Sequence, residues 1–282
     1  MDFGKVKILL IVVFLGLNLF LVYQWSVLGK SVSIYTEPFS DQVANIKRTF
    51  AGHGVTMNVN LPNSPTMLAM TMVSIPTSWI ASAEELSIAA DKKMVAKIPQ
   101  RIHTSLGNAI ILRPDRLRVT FLPGKAPLVI KQDGHLDVFH KWLAKHVYNF
   151  SDYQSFYVQL SHQNGVVEYH ETVNNLPTFS APLVIVIRQG KVVMITQTYL
   201  AVGKSIHSRS VMSAANALLA LASYMDKAHL EIDNTIQAMQ LGYSSRILGR
   251  TFGYLSPVWR IVSTRGYFYV NAINGEVSIQ NQ

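Results

Sequence analysis

Cysteine is absent from the 282 residues. That excludes a disulfide framework, a thiolate metal site and a cysteine nucleophile. Without disulfides the folded part has to be held by packing alone. Acidic residues are also scarce, with 16 Asp and Glu against 25 Lys and Arg and a formal net charge of +9. The basic residues are scattered, with a pair at Lys92-Lys93 and a cluster at Arg113, Arg116 and Arg118, so the charge reads mainly as a solvated surface. Where a basic exported domain does meet a polyanion, lipid headgroups or wall polymers are the expected kind, and nucleic acid is not.

Reactive motifs are missing as well. His135, His140 and His146 are spaced by five and six residues, so no pair has the i,i+4 spacing of a helical zinc site. His170-Glu171 opens like H-E-x-x-H, but position 174 is Asn. Gly203-Lys204-Ser205 echoes a phosphate loop, yet the upstream glycine that loop needs is missing, with Tyr199 five residues before Lys204. Ser205 and Ser208 flank His207, and adjacency in sequence is not a triad. No catalytic, cofactor-binding or metal-ligating residue is assigned. No cofactor is expected, and the chain reads as a non-enzyme.

What the sequence does have is a long apolar run at its start, Ile8–Trp25, without a charged residue. At about 1.5 Å per residue, a run extended to Leu28 reaches roughly the 30 Å of a bilayer core. One transmembrane helix is expected there, with Tyr23 and Trp25 in the interfacial belt. Lys5 and Lys7 precede the run and only Lys30 follows closely, which places the N-terminus in the cytoplasm and the rest of the chain outside. A cleaved signal peptide is the alternative, but the run is longer than a signal core and no small-x-small cleavage site follows it. Asn18 is the polar side chain in the middle of the span. At 3.6 residues per turn it shares a face with Ile11, Phe14, Leu15, Val22 and Trp25, and Gly16 points elsewhere. An amide in hydrocarbon either bonds its own helix or bonds a partner helix. That face is the candidate partner-binding surface.

Periodicity and turn signals beyond the anchor predict an α+β fold of antiparallel sheets with packed helices. Helices are expected at Asp41–Ala51 (Ser40 as N-cap), Ala83–Lys97, His135–Asn149 and Ser210–Met225. Strands are expected at Val55–Asn60, Met67–Ile75, Arg101–Leu112, Leu117–Leu122, Val129–Gln132, Tyr153–Ser161, Gly165–Val173, Leu183–Arg188 and Val192–Leu200. A closing meander follows at Pro257–Thr264, Tyr267–Ala272 and Glu276–Ile279, with Asn274-Gly275 as a type I′ turn. The punctuation at residues 123–127 suggests lobes at 31–127 and 128–282, beyond an anchor segment at 1–30. Trp79, Tyr153 and Phe179 are candidate surface aromatics for a partner.

Two stretches carry a resemblance. The start, Met1-Asp2-Phe3-Gly4-Lys5-Val6-Lys7 running into FLGLNLFLVYQ, resembles the start of YycI proteins of low-GC Gram-positive bacteria. The end resembles their C-terminal pattern in Leu241-Gly242-Tyr243, Leu255-Ser256-Pro257-Val258-Trp259-Arg260-Ile261, Tyr267-Phe268-Tyr269-Val270-Asn271-Ala272 and Asn274-Gly275-Glu276-Val277. The resemblance implies a single-pass membrane protein that pairs with a YycH-like protein. That complex would regulate the sensor histidine kinase WalK, which controls cell-wall metabolism, through contacts between transmembrane helices. It also implies a fold like the C-terminal part of YycH. The alternative reading is an exported scaffold that binds peptide or an anionic wall polymer.

Overall fold

A computed structural model describes residues 7, 10–21, 39–62, 67–76, 100–103, 107–125, 137–161, 163–228, 234–247, 252–264 and 266–281. The chain forms two units, Met1–Asn45 and Ile46–Gln282. In the first, residues 10–21 are helical (α1) and exposed. Among the described residues no helix is long and apolar enough to cross a membrane. Residues 8, 9 and 22–25 of the expected span lie outside them. Helix α2, Phe39–Gly52, begins before Ser40, so that serine is a helical residue rather than its N-cap.

The second unit is mostly sheet. Its strands are β1 (Val55–Met57), β2 (Met67–Ser74), β3 (Gln100–His103), β4 (Gly107–Arg113), β5 (Arg116–Phe121), β6 (Tyr153–Ser161) and β7 (Asn164–Val173). They continue as β8 (Leu176–Arg188), β9 (Lys191–Thr198), β10 (Ala201–Ser210), β11 (Asn234–Ile247), β12 (Phe252–Ser263), β13 (Gly266–Asn271) and β14 (Val277–Asn281). Helices α3 (Asp137–His146) and α4 (Ala214–Ala228) complete it. Strands β3 to β9 form one sheet half and β1, β2 and β10 to β14 the other. Two core clusters form, the first centred on one half and reaching Val73, Tyr243 and Leu255 of the other. Phe139 and Leu143 of α3 pack against Leu183, Ile185 and Ile195. Leu218 and Leu221 of α4 pack with Trp259, Ile261, Phe268 and the Ile46 and Phe50 side chains. The Ser213 hydroxyl accepts from the Asn216 amide at 3.2 Å and caps α4, three residues beyond the expected Ser210 start.

The lobes expected at 31–127 and 128–282 need correction. β5 pairs with β9, and β2 pairs with β10 and β12, so strands on either side of residue 127 share ladders. Partner choice follows the burial of each face, which is nonlocal, and local punctuation at 123–127 does not override it.

Several elements differ in extent. The expected strand at Arg101–Leu112 is a hairpin, β3 and β4. β8 starts at Leu176 rather than Leu183, because Asn174 and Asn175 both take positive φ and turn the chain tightly out of β7. β12 starts at Phe252 rather than Pro257. Pro257 falls between the stretch that pairs with β2 and the stretch that pairs with β13, where a missing N–H is tolerated. β1 is shorter than expected, and β10 and β11 were not anticipated. The Asn274-Gly275 turn is not type I′. Of its two central residues only Gly275 has positive φ, and the Asn271 side chain instead receives the amides of Ile273 and Asn274. The helix expected at 83–97 and the strand at 129–132 lie outside the described residues.

Candidate interface at the joint of the two sheet halves

Among the described residues the two halves share one ladder contact, the parallel pairing of Tyr243 on β11 with Thr178 on β8. The Ser245 amide adds a hydrogen bond to Ser180 Oγ at 2.8 Å. The strands come this close because residue 242 has no side chain. A Cβ at Gly242 would lie 2.5 Å from the Pro177 carbonyl oxygen and 2.6 and 2.7 Å from two carbons of the Phe179 ring.

Phe179 is the centre of a buried stack. The Arg260 guanidinium lies 4.5 Å from the centroid of the Phe179 ring and 4.9 Å from that of Tyr267. His170 meets Phe179 edge-on at 5.7 Å, and Tyr269 lies 5.8 Å from it. A buried guanidinium needs compensation, which two π faces and a nearby carboxylate supply. That carboxylate is Glu168, whose Oε1 is 2.7 Å from His170 Nε2, and His170 Nδ1 is 3.2 Å from the Thr178 carbonyl. Burial lifts the Glu168 carboxyl, but the hydrogen bond and charge of His170 and the charge of Arg260 outweigh it, so its pKa sits below the ordinary value. Burial raises the Tyr269 phenol, with Arg260 opposing. The stack therefore ties β7, β8, β12 and β13 together across the joint.

Beside it opens a groove of about 660 Å³. Phe179, Ser180 and Pro182 line it from β8, and Arg113, Asp115 and Arg116 from the β4–β5 hairpin. The other half contributes Ser244, Ser245, Tyr254, Ser256, Tyr269, Asn271, Glu276 and Ser278. Among the described residues no histidine lines it, and neither Glu168 nor His170 reaches it. The lining thus offers hydroxyls, rings, the two guanidinium groups of Arg113 and Arg116 and the two carboxylates of Asp115 and Glu276.

A second buried polar cluster lies on β7 and β9. Glu171 is 1% exposed and accepts from the Leu200 amide at 3.3 Å. Burial raises its pKa to about 8, against the Leu200 hydrogen bond and with a contribution from Asp152. Burial and then Glu171 raise the neighbouring Tyr153 phenol, whose hydroxyl donates to Thr198 O at 2.6 Å.

The residues singled out in the sequence separate. Ile11, Phe14, Leu15 and Asn18 are on α1 and exposed, and Val22 and Trp25 lie outside the described residues. Asn18 Nδ2 donates to the Phe14 carbonyl at 2.8 Å. Tyr153 and Phe179 are buried rather than surface aromatics, because each closes a polar cluster at a sheet junction. Trp79 lies outside the described residues. Among the described residues no three His, Asp or Glu converge as metal ligands. His140 lies 2.9 Å from the Tyr169 hydroxyl and His146 stacks on Trp142. Gly242 and Arg260 were visible only as members of the resembling stretches. The readable signal was a charged residue inside the apolar run Pro257–Ile261, which demands a buried partner.

Two largely antiparallel sheet halves, each with a packed helix and joined at one close crossing among the described residues, define a mixed α+β module that is mostly sheet. The chain belongs to the YycI family, whose model, described as YycI protein, matches residues 37–273. No curated protein matches the sequence. An uncharacterized protein from Eubacterium rectale ATCC 33656 has a similar fold, with TM-score 0.52 and 9% identity over 85% of this chain and 99% of that one. YycH from Bacillus subtilis superposes at TM-score 0.47 with 15% identity, over 78% of this chain and 53% of YycH. The Bacillus megaterium YpeB C-terminal domain gives TM-score 0.31 at 8% identity, over 72% of this chain and 97% of that domain.

Proposed function

We propose that this chain is a non-enzymatic regulator of the cell-wall-controlling sensor kinase WalK. It acts in a membrane complex with a YycH-like partner, with its N-terminus in the cytoplasm and its folded part outside. The observation that carries this reading is the YycI family match over residues 37–273. The sequence of residues 8–25 supports the membrane part, as does the exposure of every large apolar side chain at 10–21 by half or more. A helix apolar all round suits lipid and partner helices. The hydrogen bond to Phe14 uses one N–H of the Asn18 amide, leaving its carbonyl and second N–H for a neighbouring helix. The helix face shifts a kinase equilibrium through its differential affinity for the two kinase states.

Two variants test this in membranes that contain the kinase and the partner. Replacing residues 8–25 with an unrelated apolar helix is expected to change kinase autophosphorylation about fivefold or more. Asn18→Leu is expected to lower recovery of the complex by about 3- to 30-fold, the effect of one interhelical hydrogen bond. Unchanged recovery and kinase output in both variants would reject the transmembrane mechanism.

A further inference from the structure

We propose that the groove beside the joint binds an acidic sugar or polyol, a hydroxyl-rich ligand carrying a carboxylate or a phosphate. Its volume of about 660 Å³ lies within the size of small-ligand clefts, and such clefts favour junctions between structural units. Of the strands that wall it, β8 lies between β7, β9 and β11, and β12 between β11 and the pair β2 and β13, while among the described residues β14 pairs with β13 alone. Along β8 and β12 a ligand is therefore read by side chains. The side chains are those that suit a sugar. Ser180, Ser245 and Ser256 carry hydroxyls that both donate and accept, as sugar hydroxyls do. Tyr254 and Tyr269 add aromatic faces for the C–H surface of a ring.

Arg116 supplies the acidic preference. Arg113 is engaged with Asp115 at 2.8 Å, so its charge is already met. Arg116 spends only Nε, donating to Thr198 Oγ1 at 3.0 Å, which fixes the fork and leaves its terminal amines to face a ligand. Burial first, then Arg113 and Arg118, lower its pKa, with Asp115 opposing. An anion would relieve that crowding, and a guanidinium fork matches the two oxygens of a carboxylate or phosphate.

The site stands beside the regulatory reading and does not need it. The test uses the full chain in nanodiscs of neutral lipid, titrated by calorimetry and saturation-transfer NMR. The probes are an N-acetylglucosamine–N-acetylmuramic acid disaccharide, its muramic carboxamide, a glycerol-phosphate oligomer and an acidic decapeptide. At least one acidic sugar or polyol probe is expected to bind about tenfold more tightly than the carboxamide. The tighter of the two names the source as carboxylate or phosphate. Arg116→Gln is expected to erase the tenfold preference, and Tyr254→Ala to weaken acid and carboxamide alike, so one variant reports if the other unfolds. The proposal is overturned if neither acidic probe binds, if the carboxamide binds equally well, if the decapeptide binds in their place, or if a folded Arg116→Gln chain keeps the preference. Kinase output is not read, so this result and that of the helix exchange are independent.

Discussion

Glu171→Gln is expected to stabilise the protein by about 4 kcal/mol at pH 8.5 relative to its effect near pH 4, and to flatten the pH dependence of unfolding. The sign follows from where the proton sits. Burial lifts the folded-state pKa of Glu171 to about 8, against an ordinary value of 4.5. Below 4.5 both folded and unfolded chains hold the proton, and the full stability of the neutral buried carboxyl is present. Between 4.5 and 8 the unfolded chain has lost the proton and the folded chain keeps it, so stability falls as pH rises by about 1.4 kcal/mol per unit. Above 8 the loss is complete. Glutamine keeps an acceptor for the Leu200 amide and carries no titrating proton. Thermal unfolding from pH 4 to 8.5 reads the difference. The gap between the two proteins should widen by about 10 °C across the window for a chain of this size. Parallel curves would mean that Glu171 is solvated in the folded protein and that its burial on β7 is wrong.

The alternation of polar and apolar residues locates β6, β7, β9 and β13, and in β13 buried and half-buried positions alternate along the whole strand. It did not locate β11. Leu241, Gly242 and Tyr243 are consecutive and all buried, since β11 contacts a core on one side and the joint on the other. A strand buried on both faces loses the period of two. β10 fails for the opposite reason, being exposed along nearly its whole length at the end of the strand order and mostly polar, with Val202 and Ile206 too few to mark a buried face. The candidate site was hidden by the same nonlocality. Arg260 is compensated by Phe179, and Phe179 is brought to it by a joint between strands more than sixty residues apart in sequence. No local window contains both partners. The interleaving of segments between the two halves was not legible, because the changeover of β12 from β2 to β13 depends on which strands arrive beside it.

Gly242→Ala and Gly52→Ala are the same chemical change and are expected to have opposite effects. At Gly52, in the last turn of α2, an added Cβ meets nothing within 4 Å. Alanine there should stabilise by about 0.5–1 kcal/mol through helix propensity and lost unfolded-state entropy. At Gly242 the Cβ meets the Pro177 carbonyl oxygen at 2.5 Å and the Phe179 ring at 2.6 Å. The carbonyl belongs to a paired strand and cannot swing away. The ring carries Arg260 on one face, so moving it uncovers a buried charge. The remaining way to relieve the overlap is to part β8 from β11, which breaks the Tyr243–Thr178 pairing and the Ser245–Ser180 hydrogen bond. Overpacking of this kind, with loss of a hydrogen bond, costs about 3 kcal/mol or more, a fall in Tm of roughly 6–12 °C. A double-mutant cycle with Phe179→Ala separates ring from backbone. Removing the ring leaves the clash with Pro177 O, so the double variant should be less destabilised than the sum by about 1 kcal/mol and still well below wild type. A Gly242→Ala protein within 1 kcal/mol of wild type would show that the halves are not held at this crossing. The groove would then have no fixed walls on which to recognise a ligand.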